Sequence, residues 1–419
     1  MSDDSGSQAE TNEVVLRPWS SLLIRDFSLI WTSSVLAATS AQIRNVCILY
    51  QVYQLSGSSF QLGLTGFLQA LPHVIFGLFA GVLADAFDRK KVILCTHFLH
   101  LVPSLLLGFL TVTGTIQVWH IYLFGTLASF IEVFGWPARA AIVPSLVPPS
   151  HLMNAITLTS MILQSSFLVG PAIAGVLIDH TGVAQAYFIS AGFFAPAIVA
   201  VLAMHASGKP QGERRRVSVR SMVEGLEFIW IQRIILSLFL LDFGVTLVGF
   251  YRPILPIFAS DVFKMGGTGL GALYSAPAIG SLLGSTSVLL VGDVRRKGAL
   301  AVVAALFFAG GLMLLGLSKW FWMAAASVVL LGYMDSLSVA VRRTVVQFLA
   351  PDAMRGRAAS LITVFAQCTN ALGALLAGIA AQLWGAPNAL VIGGFVCVVM
   401  IFGITRAIPQ LWHYRSDEG

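Results

Sequence analysis

Residues 137–182 read PARAAIVPSLVPPSHLMNAITLTSMILQSSFLVGPAIAGVLIDHTG, and a second version of this stretch follows 203 residues later (342 − 139). Arg139 aligns with Arg342, Val143 with Val346, Leu146 with Leu349 and Pro148 with Pro351. Farther on, Ala155 aligns with Ala358, Leu158 with Leu361, Gln164 with Gln367, Gly175 with Gly378 and Gly182 with Gly385, without a gap. Apolar composition alone matches Leu with Leu. It does not match Arg, Pro, Gln and two Gly in one register. The offset is close to half of the 419 residues, so one half of the chain is a copy of the other. In a membrane protein, parallel halves of this kind build a transporter around a central site.

Composition supplies the membrane. Of the residues, 57% are hydrophobic and 11% charged, against about 25% charged in soluble domains. Apolar runs of about 20 residues, the length that crosses ~30 Å of hydrocarbon, recur through the chain. They predict twelve spanning helices, at 27–53, 59–84, 91–113, 117–141, 151–178, 183–204, 232–258, 268–291, 297–317, 321–349, 354–383 and 387–406. The expected fold is an all-α integral membrane protein whose twelve transmembrane helices form two pseudo-symmetric six-helix bundles. Its divisions are a tail with an interfacial lead-in (1–26), a first bundle (27–205), a connector (206–231), a second bundle (232–406) and a closing tail (407–419). The first thirteen residues are acidic and polar, without the basic start of a signal peptide, so the first run is expected to be retained.

The net charge of +6 is not a nucleic-acid footprint, because the basic residues sit in short loops between apolar runs. They fall on one side. Arg89, Lys90 and Lys91 follow the second run; the connector holds Lys209, Arg214, Arg215, Arg216 and Arg220; Arg295, Arg296 and Lys297 follow the eighth run. Arg139, Arg342, Arg343, Arg355 and Arg357 lie on the same side, against Lys264 and Lys319 on the other. Cytoplasmic loops carry the excess of Lys and Arg, which puts both termini and the connector in the cytoplasm. In the connector, apolar positions 219, 222, 223, 226, 229 and 230 share one helical face, expected to lie flat on the inner leaflet. Cys47, Cys95, Cys368 and Cys397 all lie in apolar runs with no zinc or disulfide spacing.

The loop after the second run reads Gly81-Val-Leu-Ala-Asp85-Ala-Phe-Asp88-Arg89-Lys90-Lys91. It resembles the signature between helices 2 and 3 of the major facilitator superfamily, with Ala86 in place of a basic residue and Asp88 in place of Gly. Pro137-Ala-Arg139, Leu152-Met153-Asn154-Ala155, Leu241-Asp242-Phe243, Arg252-Pro253 and Pro351-Asp352 with Arg355-Gly356-Arg357 are similar to the branch that contains enterobactin exporters. The resemblance spans nearly the whole chain after the N-terminal tail. It implies that the loop docks across the halves when the cytoplasmic side is shut. On this basis Asp85 with Arg89, and Asp293 with Arg296, are expected to form a breakable cytoplasmic latch, in a gate that also includes Arg139, Arg355 and Arg357. Plain topology signalling is the alternative.

Ionisable groups inside hydrocarbon cost roughly 2.5–3.5 kcal/mol each. Five lie well inside the runs: Arg44, Glu132, Asp242, Arg252 and Asp335. They occupy helices 1, 4, 7 and 10 alone, which the resemblance implies line the central cavity. Arg44 and Arg252 are candidates for holding an anionic group, Glu132 and Asp335 for carrying a proton. Asp242 is open between coupling and static pairing, and Tyr50 and Tyr251 are candidates for stacking on a ligand. His73, His97 and His100 read as packing or interfacial residues, with a proton relay the lesser option. Gln164 and Gln367 are expected to bond between halves.

No phosphate-cradling loop, G-x-S-x-G or H-E-x-x-H occurs, and no enzyme, cofactor or metal is expected. The reading is a secondary active transporter in the cell membrane, exporting a small amphipathic molecule, siderophore-like or drug-like, by alternating access coupled to protons. An importer of a small metabolite and a non-transporting membrane sensor of the same fold are the alternatives. The expected partners are the small-molecule substrate, protons and the bilayer, with no nucleic acid, and the expected state is a monomer.

Overall fold

The computed structural model describes residues 17–206, 208, 227, 230–292, 294, 296–349 and 352–414, with the backbone alone at 78–86, 352–362 and 413. Among them, twelve long helices follow one another. The first six are α1 (Arg25–Ser56), α2 (Ser59–Ala86), α3 (Arg89–Val112), α4 (Val118–Ile142), α5 (Leu152–His180) and α6 (Val183–Leu202). The second six are α7 (Arg233–Gly249), α8 (Gly266–Val291), α9 (Lys297–Gly316), α10 (Phe321–Leu349), α11 (Asp352–Trp384) and α12 (Ala386–Ala407). Ten segments of the described chain are long and apolar enough to cross a bilayer. α1 is not one of them, because it carries Ser33, Ser34, Thr39, Ser40, Arg44 and Gln51, all buried. Their side chains bond inward. Ser40 Oγ donates to the Ser190 carbonyl at 2.7 Å, Ser33 Oγ to the Ala197 carbonyl at 2.9 Å, and Gln51 Nε2 to Thr111 Oγ1 at 2.9 Å. Such bonds replace the water that lipid withholds.

The repeat is visible in the helix starts. Val118 and Phe321 open α4 and α10, and Val183 and Ala386 open α6 and α12, each 203 residues apart (321 − 118; 386 − 183). Gly182 and Gly385 precede α6 and α12 with φ of +91° and +80°, a backbone region that favours glycine. That explains why both copies keep it. In the first three helices of each half the offset grows to 208, as between Arg25 and Arg233 or Arg89 and Lys297 (233 − 25; 297 − 89). Two half-to-half registers therefore run through the molecule.

Within the first half, α1 packs on α5 and α6, α2 on α4, and α3 on α4 and α6. Within the second, α8 packs on α10, α9 on α10 and α12, and α7 on α11 and α12. The halves meet along two seams, α2 with α11 and α5 with α8. Each seam is drawn tight by facing glycines. A Cβ on Gly63 would lie 2.7 Å from Gly378 Cα, and one on Gly271 would lie 2.9 Å from Gly175 Cα. These four glycines are repeat mates (271 − 63 = 208; 378 − 175 = 203), so the two seams are versions of one contact. Small residues let backbones approach where van der Waals packing must hold helices together in lipid.

Two expectations need correction. The seventh run, read as one helix over 232–258, breaks after Gly249 and continues through short turns at Arg252–Ile254 and Leu255–Ile257 and a π-helical turn at Phe258–Val262. Pro253 and Pro256 lack the N–H that a continuous helix requires. The closing tail is not all tail: Gln410–His413 is helical, with Leu411 buried. The expected connector helix lies largely outside the described residues.

Candidate functional site

The face that carries the turns after α2, α4 and α8 is the basic one. There, Asp88 caps α3. Its Oδ1 accepts the backbone N–H of Lys90 at 3.0 Å and of Lys91 at 3.3 Å, which accounts for a carboxylate where the resembling signature has Gly. Arg89 donates to the Ala141 carbonyl at 2.9 Å, and Lys90 to the Met204 carbonyl at 2.6 Å, both within the first half. Asn154 accepts the Ser21 N–H at 3.1 Å and donates to the Pro18 carbonyl at 2.6 Å, fastening the lead-in segment to α5. Of the expected gate, Arg296 is exposed ahead of α9. The side chains of Asp85, Asp293, Arg355 and Arg357 lie outside the described residues.

Arg139, expected at that gate, instead holds Glu132, two turns earlier on α4, in an ion pair through Nη2 and Oε1. Pro137, between them, leaves Arg139 on the last turn of α4, from which it reaches back along its own helix. The other oxygen of Glu132 lies 3.1 Å from His100 Nε2 on α3. His100 Nδ1 is 3.4 Å from Arg44 Nη2, and Arg44 Nη1 donates to Ser104 Oγ at 3.2 Å. A continuous polar chain therefore runs Arg44–His100–Glu132–Arg139 across α1, α3 and α4. The His100 ring stacks on Phe194 with centroids 5.2 Å apart and planes 10° apart, which fixes its orientation. The packing reading of His100 gives way to this network. His97 lies 3.0 Å from Ser33 Oγ, and His73 lines a cavity beside the network. That cavity measures about 170 Å³ and is walled by Gln42, Arg44, Asn45, Gln69, Ser129 and Glu132 among others.

The second half is arranged differently. Arg342, the repeat mate of Arg139, pairs with Asp242 on α7. Asp335, the mate of Glu132 (335 − 132 = 203), has no guanidinium within 4 Å among the described residues and is exposed inside the bundle. Asp242 and Asp335 both line a smaller cavity of about 20 Å³ together with Phe308. Phe308 stands where the 208 register puts the mate of His100, and Asp242 where it puts the mate of Ser34 (308 − 100; 242 − 34). Arg252 is the mate of Arg44 (252 − 44 = 208). Its guanidinium lies over the Phe167 ring of α5 at 5.6 Å, and its carbonyl accepts from Tyr274 Oη at 2.7 Å. One frame thus carries two different charge circuits.

Of the five charges expected on one wall, four divide between these two cavities, Arg44 and Glu132 on the larger and Asp242 and Asp335 on the smaller, and Arg252 lines neither. Tyr251 is buried in the apolar core and Tyr50 packs against that core, rather than lining either cavity. Gln164 does bond between halves, its Nε2 donating to Ser281 Oγ at 3.0 Å. Among the described residues, no such bond involves Gln367.

Sequence reading passes over the opposite face. There Tyr53 Oη donates to Asp261 Oδ2. Asp179 accepts the N–H groups of Gly267 and Thr268, each at 2.7 Å, at the start of α8. Gln382 Oε1 accepts Ser58 Oγ at 3.2 Å and the Phe60 N–H at 3.4 Å, at the start of α2. Every one of these bonds joins the halves. The signal available in the sequence was the double register, since Asp179 and Gln382 are mates, as are Tyr53 and Asp261 (382 − 179 = 203; 261 − 53 = 208).

The comparisons with known proteins agree with this architecture. The chain is 26% identical over 406 residues to the enterobactin exporter EntS of Escherichia coli K12, covering 93% of both chains. It is 27% identical over 398 residues to the enterobactin exporter EntS of Shigella boydii, covering 90% of this chain and 92% of that one. Among solved structures, a bacterial homologue of the human lysosomal transporter Spinster, inward-facing and unoccupied, superposes with a TM-score of 0.71 at 15% identity, covering 95% and 99%. A POT family transporter with 5-aminolevulinic acid superposes with a TM-score of 0.74 at 14% identity, covering 92% and 96%; these likenesses concern the fold. The profile of the transmembrane secretion effector family matches residues 16–415. The duplicated twelve-helix frame and this match over nearly the whole length show that the chain belongs to the transmembrane secretion effector family of major facilitator superfamily transporters.

Proposed function

We propose that the chain is a proton-coupled exporter of a small amphipathic molecule, siderophore-like or drug-like, working by alternating access of its two six-helix bundles. The observation that carries the reading is the placement of ionisable groups on α1, α4, α7 and α10, deep in an apolar frame. Arg44, Glu132, Asp242 and Asp335 line interior cavities, where lipid-facing placement would leave them unsolvated. The basic face is cytoplasmic by the positive-inside rule, with both termini there and the protein in the inner membrane. The exporter relatives support the direction of transport.

Charge supports an anionic group on the cargo. Arg44, Arg139, Arg252 and Arg342 outnumber Glu132, Asp242 and Asp335 by one. Arg44 is the cation of the larger cavity, and among the described residues its guanidinium bonds to Ser104 and His100 and pairs with no carboxylate, so its charge is available to a ligand. Asn45, Gln42, Gln69, His73 and Ser129 supply hydrogen bonds around it. Proton coupling assigns the exchangeable proton to Glu132 or Asp335. At the cytoplasmic end, Asp85 with Arg89 and Asp293 with Arg296 act as the latch. The test is flux from proteoliposomes with an imposed pH gradient, using a catecholate siderophore and a fluorescent amphipathic drug as cargo. Gradient-dependent flux of either supports the reading. Flux that persists at the same rate with the gradient collapsed by a protonophore overturns the coupling, and absence of flux for both cargoes overturns the export of this class.

A further inference from the structure

Among the described residues, the bonds that join the halves cluster at the face opposite the basic one. Among the described residues, none lies closer to the basic face than Gln164–Ser281. Three contacts close that opposite end, and their arrangement is not accidental. In the double register Asp179 is the mate of Gln382, and Thr268 is the mate of Phe60 (268 − 60 = 208). The bond from the Thr268 N–H to Asp179 and the bond from the Phe60 N–H to Gln382 are therefore one contact repeated about the pseudo-twofold axis. Tyr53 and Asp261 are each other's mates, so the bond between them lies on that axis. The closure thus has a central pin and two lateral wings, and each wing caps the start of a helix in the other half.

We infer that this pin and its two wings are the external gate of the transporter, and that the wings are unequal, with Asp179 holding the closed state and Gln382 trimming it. The inequality follows from chemistry. Asp179 is a carboxylate accepting two N–H groups at 2.7 Å each, at the positive end of α8. Charge-assisted bonds at a helix N-terminus are the strong kind. Gln382 offers one neutral oxygen to two donors at 3.2 and 3.4 Å. Both wings sit one or two turns beyond the glycine crossings of their seams, Gly175–Gly271 and Gly63–Gly378, which act as pivots close to the gate. A wing that releases lets its seam hinge open at that end while the crossing stays in contact.

The word external rests on the orientation given under the proposed function. The conformational claim does not, because it is read without cargo or gradient. Spin labels at Thr115 and Lys319, exposed in the turns before α4 and α10, report the separation of the two halves at this end. Cys95 and Cys368 are first replaced by Ser, while Cys47 and Cys397 stay, being buried. Pulsed dipolar spectroscopy on the full chain in lipid nanodiscs then gives the fraction in which this end is open. Asp179→Ala is expected to raise the open-to-closed ratio about tenfold or more, the size associated with losing charge-assisted bonds. Gln382→Ala is expected to raise it by less than about threefold. Gln382→Glu is expected to lower it and to slow transport, an effect that misfolding does not imitate. An unchanged distance distribution in Asp179→Ala overturns the gate. Equal shifts in Asp179→Ala and Gln382→Ala, or an opening by Gln382→Glu, overturn the inequality.

Discussion

Removing the charge of Glu132 and removing that of Asp335 are the same edit at mated positions, and the structure makes their consequences different. Glu132 is gripped by Arg139 and by His100, with its side chain 30% exposed to the cavity and that of Arg139 only 6% exposed. Glu132→Gln leaves the buried Arg139 guanidinium without a carboxylate. Breaking a buried pair from one side costs about 3–5 kcal/mol, and the cavity exposure of Glu132 puts the expectation near the lower figure. Asp335 forms no ion pair among the described residues and faces a cavity. Asp335→Asn removes no pair, so its cost is expected within about 0.5 kcal/mol, as for substitutions away from a packed network. The assay is reversible denaturant unfolding in mixed micelles, followed by tryptophan fluorescence. Glu132→Gln should be the less stable of the two by at least about 2 kcal/mol, allowing for the cavity. Adding Arg139→Gln to it should restore most of that loss, a coupling of roughly 1–3 kcal/mol in the double-mutant cycle. Transport should divide the other way, with Asp335→Asn stable but uncoupled from protons. Equal stability of the two single variants, or a loss with Asp335→Asn as large as with Glu132→Gln, refutes the division of roles.

Arg44→Gln should lower uptake into inverted vesicles at limiting substrate at least about tenfold, the factor for one lost charge-assisted contact, with Arg44→Lys partly active; unchanged uptake removes Arg44 from the binding site. Asp242→Asn should destabilise by about 3 kcal/mol, because it strands Arg342, and denaturant unfolding reads it directly. Gly378→Val should cost about 1–3 kcal/mol by overpacking the α2–α11 seam, whereas Gly192→Ala, with open space at its Cβ, should stay within about 0.5 kcal/mol. Asp85→Asn should impair transport while membrane insertion, followed by fractionation, is unaffected.

The frame was legible because each half must obey the same steric demands. Gly182 and Gly385 hold positive φ ahead of their helices, and Gly175 and Gly378 sit where backbones touch, so both copies kept them. The charges on α1, α4, α7 and α10 were legible because an ionisable group in an apolar run has few explanations. What joined them was not. His100 resembles any packing residue until its ring is seen between Arg44 and Glu132. The partner of Asp242 lies 100 residues away (342 − 242) on a different helix, and no local pattern selects Arg342 over Arg252. The break in α7 hid inside a long, mainly apolar run, where Pro253 and Pro256 remove N–H donors without interrupting the hydrophobic pattern. Polar residues at helix ends, such as Tyr53 and Asp179, blend with those that meet headgroups at any membrane surface.

The two mated arginines choose their carboxylates by different routes. Arg139 is satisfied along its own helix, so a rotation of α4 carries that ion pair with it, while the bond from Glu132 to His100 on α3 must give. Arg342 reaches to Asp242, so α10 is riveted to α7 and the pair must move together or part. Duplication therefore left one half with its ion pair inside a single helix and the other with its ion pair strung between two.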